Sequence, residues 1–140
     1  MKTNYVLGFY FSTDLERVAL IRKQKPAWQA GKLNGIGGKL ENGEKPLSAM
    51  RREFREEAGL TVEKWVEFCQ MIGIGFTINC FAAIGDPREC KSQETENVGV
   101  FHVRLVSRNQ VDNLRWLIPL AINKLETGRP ATVVAVYTDC

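Results

Sequence analysis

The chain has 140 residues, with 19 Lys or Arg, 16 Asp or Glu and one His, for a formal net charge of +3. That length suits one domain, and 44% hydrophobic with 25% charged residues is an ordinary globular mixture. So small a charge gives no argument for a nucleic-acid or membrane-surface partner, and no apolar run reaches the ~18 residues of a membrane span.

In chain order, the start carries no secretory pattern, because Gly8 and Ser12 interrupt its apolar stretch and Asp14 and Glu16 follow. Tyr5–Phe11 is aromatic and β-branched and predicts a strand; Asp14 and Glu16 mark a turn, and Arg17–Arg22 predicts the returning strand of a hairpin. Lys23–Lys32, with Pro26 and Gly31, predicts a loop. Between Asn34 and Gly43 stand Gly35, Gly37, Gly38 and Gly43, a density that predicts backbone at unusual angles or in close approach to something.

The period then changes. Glu44-Lys45-Pro46 opens a helix, with Pro46 tolerated in the first turn. Leu47, Met50, Phe54 and Ala58 share one side of it, and Gly59 ends it as a C′ glycine. Val62–Gly75 and Phe76–Ile84 predict two paired strands with Gly73 and Gly75 near the bend. Asp86–Asn97 predicts a polar loop, Val98–Val106 a strand, Asp112–Thr127 a helix kinked or restarted at Pro119, and Ala131–Tyr137 a last edge strand. Strands outnumber helices without regular βαβ alternation, so the fold class is α/β (α+β), helices on a mixed sheet in one domain over residues 1–140. Cys69, Cys80, Cys90 and Cys140 are scattered with no CxxC pair, and with one His they offer no zinc spacing; a reduced, cytoplasmic protein is expected.

Chemistry concentrates in the central helix. Glu53, Glu56 and Glu57 stand at i, i+3 and i+4, on an arc about 100° from the apolar face. A solvated acidic face balanced by Arg51, Arg52 and Arg55 is one reading of them. The other is a cleft in which a divalent cation relieves the repulsion, and all-oxygen ligation suits Mg²⁺ or Mn²⁺.

Gly38, Glu44 six positions on, and then Arg52-Glu53-Phe54-x-Glu56-Glu57-x-Gly59-Leu60 match the Nudix box at every defined position, and the chain resembles the Nudix hydrolase family. The resemblance implies an α/β/α sandwich around a central mixed sheet, the box forming a loop–helix–loop. It also implies metal-dependent hydrolysis of a nucleoside diphosphate linked to another group. It makes Glu56 and Glu57 ligands of the divalent ions and Glu53 a ligand or the orienter of the water. Arg52 is to pair with Glu44 to hold the loop, Gly38 to let backbone come close, and the Gly37 carbonyl to face a metal. Family members often recruit one more loop acid, and Glu96 is preferred to Glu94 for that place because Thr95-Glu96-Asn97-Val98 looks like the family's usual entry to the next strand.

For substrate, Gly75, Phe76 and Thr77 stand downstream of the box where ADP-ribose or dinucleoside-polyphosphate signals carry Pro or Tyr, which leaves nucleoside triphosphates. Trp28–Lys39 looks like the segment before the box in enzymes that sanitise oxidised purine triphosphates, which gives Asn34 an amide role at the base. Asp112-Asn113-Leu114-Arg115-Trp116 resembles the acid-and-aromatic stretch there, with its spacing to Pro119 one residue off. Asp112, Trp116 as a stacking face and Lys39 as a phosphate contact complete the expected substrate set. The expectation is Mg²⁺-dependent hydrolysis, with Mn²⁺ as the other ion, of a (deoxy)nucleoside triphosphate to monophosphate and pyrophosphate by a monomer or homodimer. The alternatives are another nucleoside-diphosphate derivative (a sugar nucleotide or capped RNA) and a non-catalytic nucleotide sensor.

Overall fold

The computed structural model describes residues 2–104, 106, 110, 113–130 and 132–138. Its elements in order are β1 (Thr3–Ser12), β2 (Arg17–Arg22), β3 (Leu33–Asn34), β4 (Ile36–Lys39), α1 (Pro46–Ala58), β5 (Val66–Gly73), β6 (Phe76–Gly85), β7 (Asn97–His102), α2 (Leu114–Thr127) and β8 (Val133–Val136). Single 3₁₀ turns lie at Ala27–Gln29 and Pro87–Glu89.

All eight strands join one sheet, whose main path runs β3-β2-β1-β6-β5-β8. It is mixed: β1 runs parallel to β6 and β5 parallel to β8, while the other pairs are antiparallel. The β1–β2 hairpin forks. Its closed end pairs Tyr10 with Ala19 and Phe11 with Val18. Beyond that β1 pairs instead with β4, through Tyr5 to Gly8, and β2 pairs with β3 at Ile21 and Arg22. Of the glycine-dense strip, Gly37 and Gly38 thus lie inside the fork on the short strand β4, while Gly35 joins β3 to β4 and Gly43 lies in the turn beyond. Leu7 faces Gly37 and Val6 faces Gly38 across the ladder. Unusual dihedrals belong to Gly43, at φ 77°, whereas Gly37 and Gly38 serve close approach.

Side chains alternate across the sheet and build a core on each face. One core joins Val6, Tyr10, Ala19, Ile21 and Ile36 to Met50, Phe54 and Ala58 of α1, closed by Trp65. There Phe54 meets the rings of Tyr10 and Trp65 edge-on, at 5.2 and 5.1 Å between centroids. The other joins Phe9, Phe11, Val18, Leu20 and Phe68 to Leu114, Leu117, Ile118 and Ala121 of α2. The result is helix–sheet–helix layering.

Several boundaries differ from the sequence reading. The fifth strand begins at Val66 rather than Val62, because Trp65 turns back onto α1 with its indole N–H on the Val62 carbonyl at 2.9 Å. β7 stops at His102, where the Val103 amide leaves the ladder for the Glu16 carbonyl. α2 runs without restart through Pro119, whose ring sits on the exposed face. Among the described residues no helix is long and apolar enough to cross a membrane.

Candidate active site

The local sequence sets the acidic helix firmly. Pro46 occupies its first turn, and Gly59, at φ 68°, ends it in the left-handed region with its N–H on the Arg55 carbonyl at 2.9 Å. Burying Met50, Phe54 and Ala58 on the sheet fixes the helix rotation and turns Arg52, Glu53, Glu56 and Glu57 toward β4 and the loop after it.

Arg52 is the hub. Its Nε and Nη2 donate to both carboxylate oxygens of Glu44 at 2.9 Å each, a bidentate fork that ties the helix to the loop preceding it. Nη1 donates to Glu53 at 2.9 Å and to Glu56 at 3.3 Å, and Nη2 also reaches the Lys39 carbonyl at 3.1 Å. Glu44 receives the Glu41 amide at 3.0 Å as well. The guanidinium hydrogen bonds lower the Glu44 carboxyl to about 2 despite some desolvation, and the same partners raise Arg52 above its ordinary value.

Glu53 lies against Gly38. A Cβ built on Gly38 would stand 2.5 Å from the Glu53 carboxylate, so a side chain there would displace the acid. Burial raises the Glu53 carboxyl, opposed by Arg52. Glu57 has no such counter-ion bound to it. Its Oε2 is buried without a hydrogen-bond partner, and its carboxyl is pushed up to about 7, by burial first and then by the Glu53 charge, with Lys23 opposing and Glu94 and Glu96 adding.

An orphaned buried carboxylate oxygen with the carboxylates of Glu53, Glu94 and Glu96 acting on it fits a hard divalent cation. The rotamers seen serve Arg52: among the described residues no group of three His, Cys, Asp or Glu side chains is arranged to hold an ion as it stands.

Beside these acids is a cavity of about 660 Å³, within the range that takes small molecules. Gly37 and Gly38 form its wall toward Glu53, and Lys23 stands at the same end. Leu7, Met71 and Ile78 are its apolar floor, on the α2 face of the sheet. Trp28, 62% exposed, stands at the rim with Pro26 and Gln29, and Phe76 and Tyr137, their rings tilted at 49° with centroids 6.1 Å apart, also line the cavity.

The substrate residues expected from sequence separate here. Asn34 lines the cavity, but its amide is partly engaged: Oδ1 accepts from the Gly35 amide at 2.8 Å and Nδ2 donates to Gln29 at 3.0 Å. Lys39 is exposed off the cavity, with its carbonyl on Arg52. Trp116 does not line the cavity; it packs against the α2 core, because its place on the amphipathic helix faces the sheet. Asp112 lies outside the described residues, while its neighbour Asn113 lines the cavity and accepts the Tyr137 hydroxyl at 2.6 Å. Glu94 is exposed, and Glu96 is buried.

Sequence reasoning gave no role to Lys23, Trp28, Phe76 or Tyr137. Trp28 had a signal, a large aromatic in an otherwise polar loop. Tyr137, near the end of an edge strand, had none.

The model of the NUDIX domain family matches residues 1–132. A stretch of 44 residues, 31% of the chain, is 50% identical to an oxidized purine nucleoside triphosphate hydrolase of Danio rerio. That stretch covers 28% of the relative's length. The fold is similar to a MutT structure from work on the Aliivibrio salmonicida and Vibrio cholerae proteins, at TM-score 0.75 and 20% identity over 88% of this chain and 99% of that one. It is also similar to the NUDIX domain of Shewanella oneidensis NrtR in complex with ADP ribose, at TM-score 0.77 and 17% identity over 89% of each chain.

Proposed function

The chain belongs to the NUDIX domain family, and on that footing we propose that it is a Nudix hydrolase that cleaves (deoxy)nucleoside triphosphates to the monophosphate and pyrophosphate, favouring oxidised purines. The observation that carries this reading is the junction of two unlike regions. A nucleotide-sized, largely apolar cavity with an exposed tryptophan at its rim abuts an acidic helix across Gly37 and Gly38. The base and sugar suit the first region, and a cation-bridged polyphosphate suits the second. The 44-residue likeness to the Danio rerio enzyme supports the oxidised-purine preference.

Nudix hydrolases generally use divalent metal ions, and the ion proposed is Mg²⁺, with Mn²⁺ as substitute. Glu53, Glu56, Glu57 and the Gly37 carbonyl are the groups to hold it. The chemistry such an ion supplies is neutralised phosphate charge and a more acidic attacking water. Glu53, fixed by Arg52 and by the space Gly38 leaves, orients the water. The Arg52–Glu44 fork keeps loop and helix in register while charge builds on the phosphates.

The test is kcat/KM over a panel of ordinary and oxidised purine triphosphates with Mg²⁺ or Mn²⁺, with ADP-ribose as the diphosphate arm. Pyrophosphate as product and preference for an oxidised purine are expected. Phosphate as sole product, or preference for ADP-ribose, overturns the reading.

A further inference from the structure

The loop at residues 23–32 brings Lys23, Pro26, Trp28, Gln29 and Lys32 to the cavity, yet it makes little core of its own. Beyond the cross-links of its own residues, its start is fixed by the acid just ahead of β7, the strand that pairs with β2 through Asn97 and Arg22. Glu96 is buried, and it is the only charged residue so buried among those described. Its Oε1 accepts the Lys23 ammonium at 2.9 Å, and its Oε2 accepts both the Gln24 and the Lys25 backbone amides. Gln24 adds a tie from its own side chain, donating to the Thr95 carbonyl at 2.9 Å. Burial alone would raise the Glu96 carboxyl, but the two amides and Lys23 hold it below its ordinary value.

This arrangement leaves the acid ill suited to hold a cation. A carboxylate has about four lone-pair sites, and three of those on Glu96 are filled by donors of the 23–25 segment. One of the three donors is itself a cation, so an ion on Oε1 would meet the Lys23 ammonium beside it. The same contacts make Glu96 a good clasp. Charge-assisted bonds to two successive amides fix backbone direction just before Pro26, and so fix how Trp28 and Gln29 stand over the cavity.

We propose that Glu96 is a positioning residue for substrate binding: it buckles the Lys23–Lys25 backbone and thereby sets the cavity rim that carries Trp28, without serving as a metal ligand. This rests on the nucleotide reading of the cavity but not on which nucleotide is preferred. It makes the nucleoside end of the cavity depend on an acid that the family resemblance places with the metal.

The experiment uses Glu96→Gln in the full chain, with three readouts. Gln presents one acceptor oxygen, and its amide nitrogen faces a donor. Hydrogen exchange at the Gln24 and Lys25 amides is therefore expected to speed up at least about tenfold. Binding of Mn²⁺ alone, read by electron paramagnetic resonance without nucleotide, stays within about twofold. On the best triphosphate of the panel KM rises roughly tenfold with kcat largely kept, a split that a lost metal ligand would not give. Unchanged exchange at both amides, or Mn²⁺ affinity lost with kcat, overturns the proposal. Should the variant fail to fold, the wild-type chain decides: on titration with Mg²⁺ the Gln24 and Lys25 amide resonances stay in place if the clasp holds, and their displacement or loss of protection overturns it. If no nucleotide in the panel is hydrolysed, the activity reading fails while the exchange and Mn²⁺ readouts still judge the clasp.

Discussion

The two long helices make an instructive pair. α1 and α2 have 13 and 14 residues, each ends on a glycine in the left-handed region, and each buries an apolar stripe on its own face of the sheet. Their other faces differ. α1 turns Arg52, Glu53, Glu56 and Glu57 toward β4, where Gly37 and Gly38 stand side by side, whereas α2 leaves Arg115, Pro119, Asn123 and Glu126 exposed. Equal helices on opposite faces thus differ in what they face: the acids of α1 have room because Gly38 leaves space for the Glu53 carboxylate, while the buried side of α2 supplies core. Glycine on β4 makes the difference as much as glutamate on α1.

The sharpest way to break the contrast is Glu57→Gln, expected to lower kcat about a thousandfold in the presence of Mg²⁺. The same variant gives a pH test on the metal-free protein. The Glu57 carboxyl lies at about 7 when folded, against an ordinary 4.5, because burial disfavours its charge. The folded chain thus holds that proton more tightly than the unfolded chain. Wild-type stability falls as pH rises from 4.5 through about 7, an effect absent from the Gln variant. Thermal melts of both proteins across that window should show the variant gaining on wild type as pH rises; parallel curves would remove the buried carboxyl from the account.

A smaller effect separates two adjacent glycines. Gly38→Ala pushes on the far end of a flexible side chain, the Glu53 carboxylate, so kcat should drop about a hundredfold with little change in Tm. Gly37→Ala instead drives a methyl into the Val6 carbonyl of β1, backbone that cannot swing away. Stability should fall by about 2 kcal/mol or more, read from denaturant melts. Equal losses of rate and stability in the two variants would mean that β4 acts only as scaffold.

The smallest expected effect compares tryptophans. Trp28→Ala at the cavity rim should raise KM about fivefold and leave stability within about 0.5 kcal/mol. Trp116→Ala on α2 should cost about 2 kcal/mol of stability and leave KM unchanged. The reverse pattern would move the base-binding surface to α2.

Much of the fold is legible in the residues. The period of Leu47, Met50, Phe54 and Ala58 gives α1 and its acidic side, Gly59 gives its end, and alternating β-branched runs give most strands. That is so because these signals act within a few residues of one another, over a single turn or a single pleat. The same locality gives the spacing of Glu44, Arg52, Glu53, Glu56 and Glu57, and with it the family. Contacts between segments far apart in the chain leave no such period. The fork that takes Gly37 and Gly38 into β4, the burial that leaves one Glu57 oxygen without a partner, the choice of Trp28 over Trp116 at the cavity and the clasp from Glu96 to the Lys23 loop all depend on which segments meet. Sequence by itself determined which residues bear charge and on which side of a helix. Tertiary structure alone decided which of those charges are desolvated, because burial is set by neighbours brought in from elsewhere in the chain.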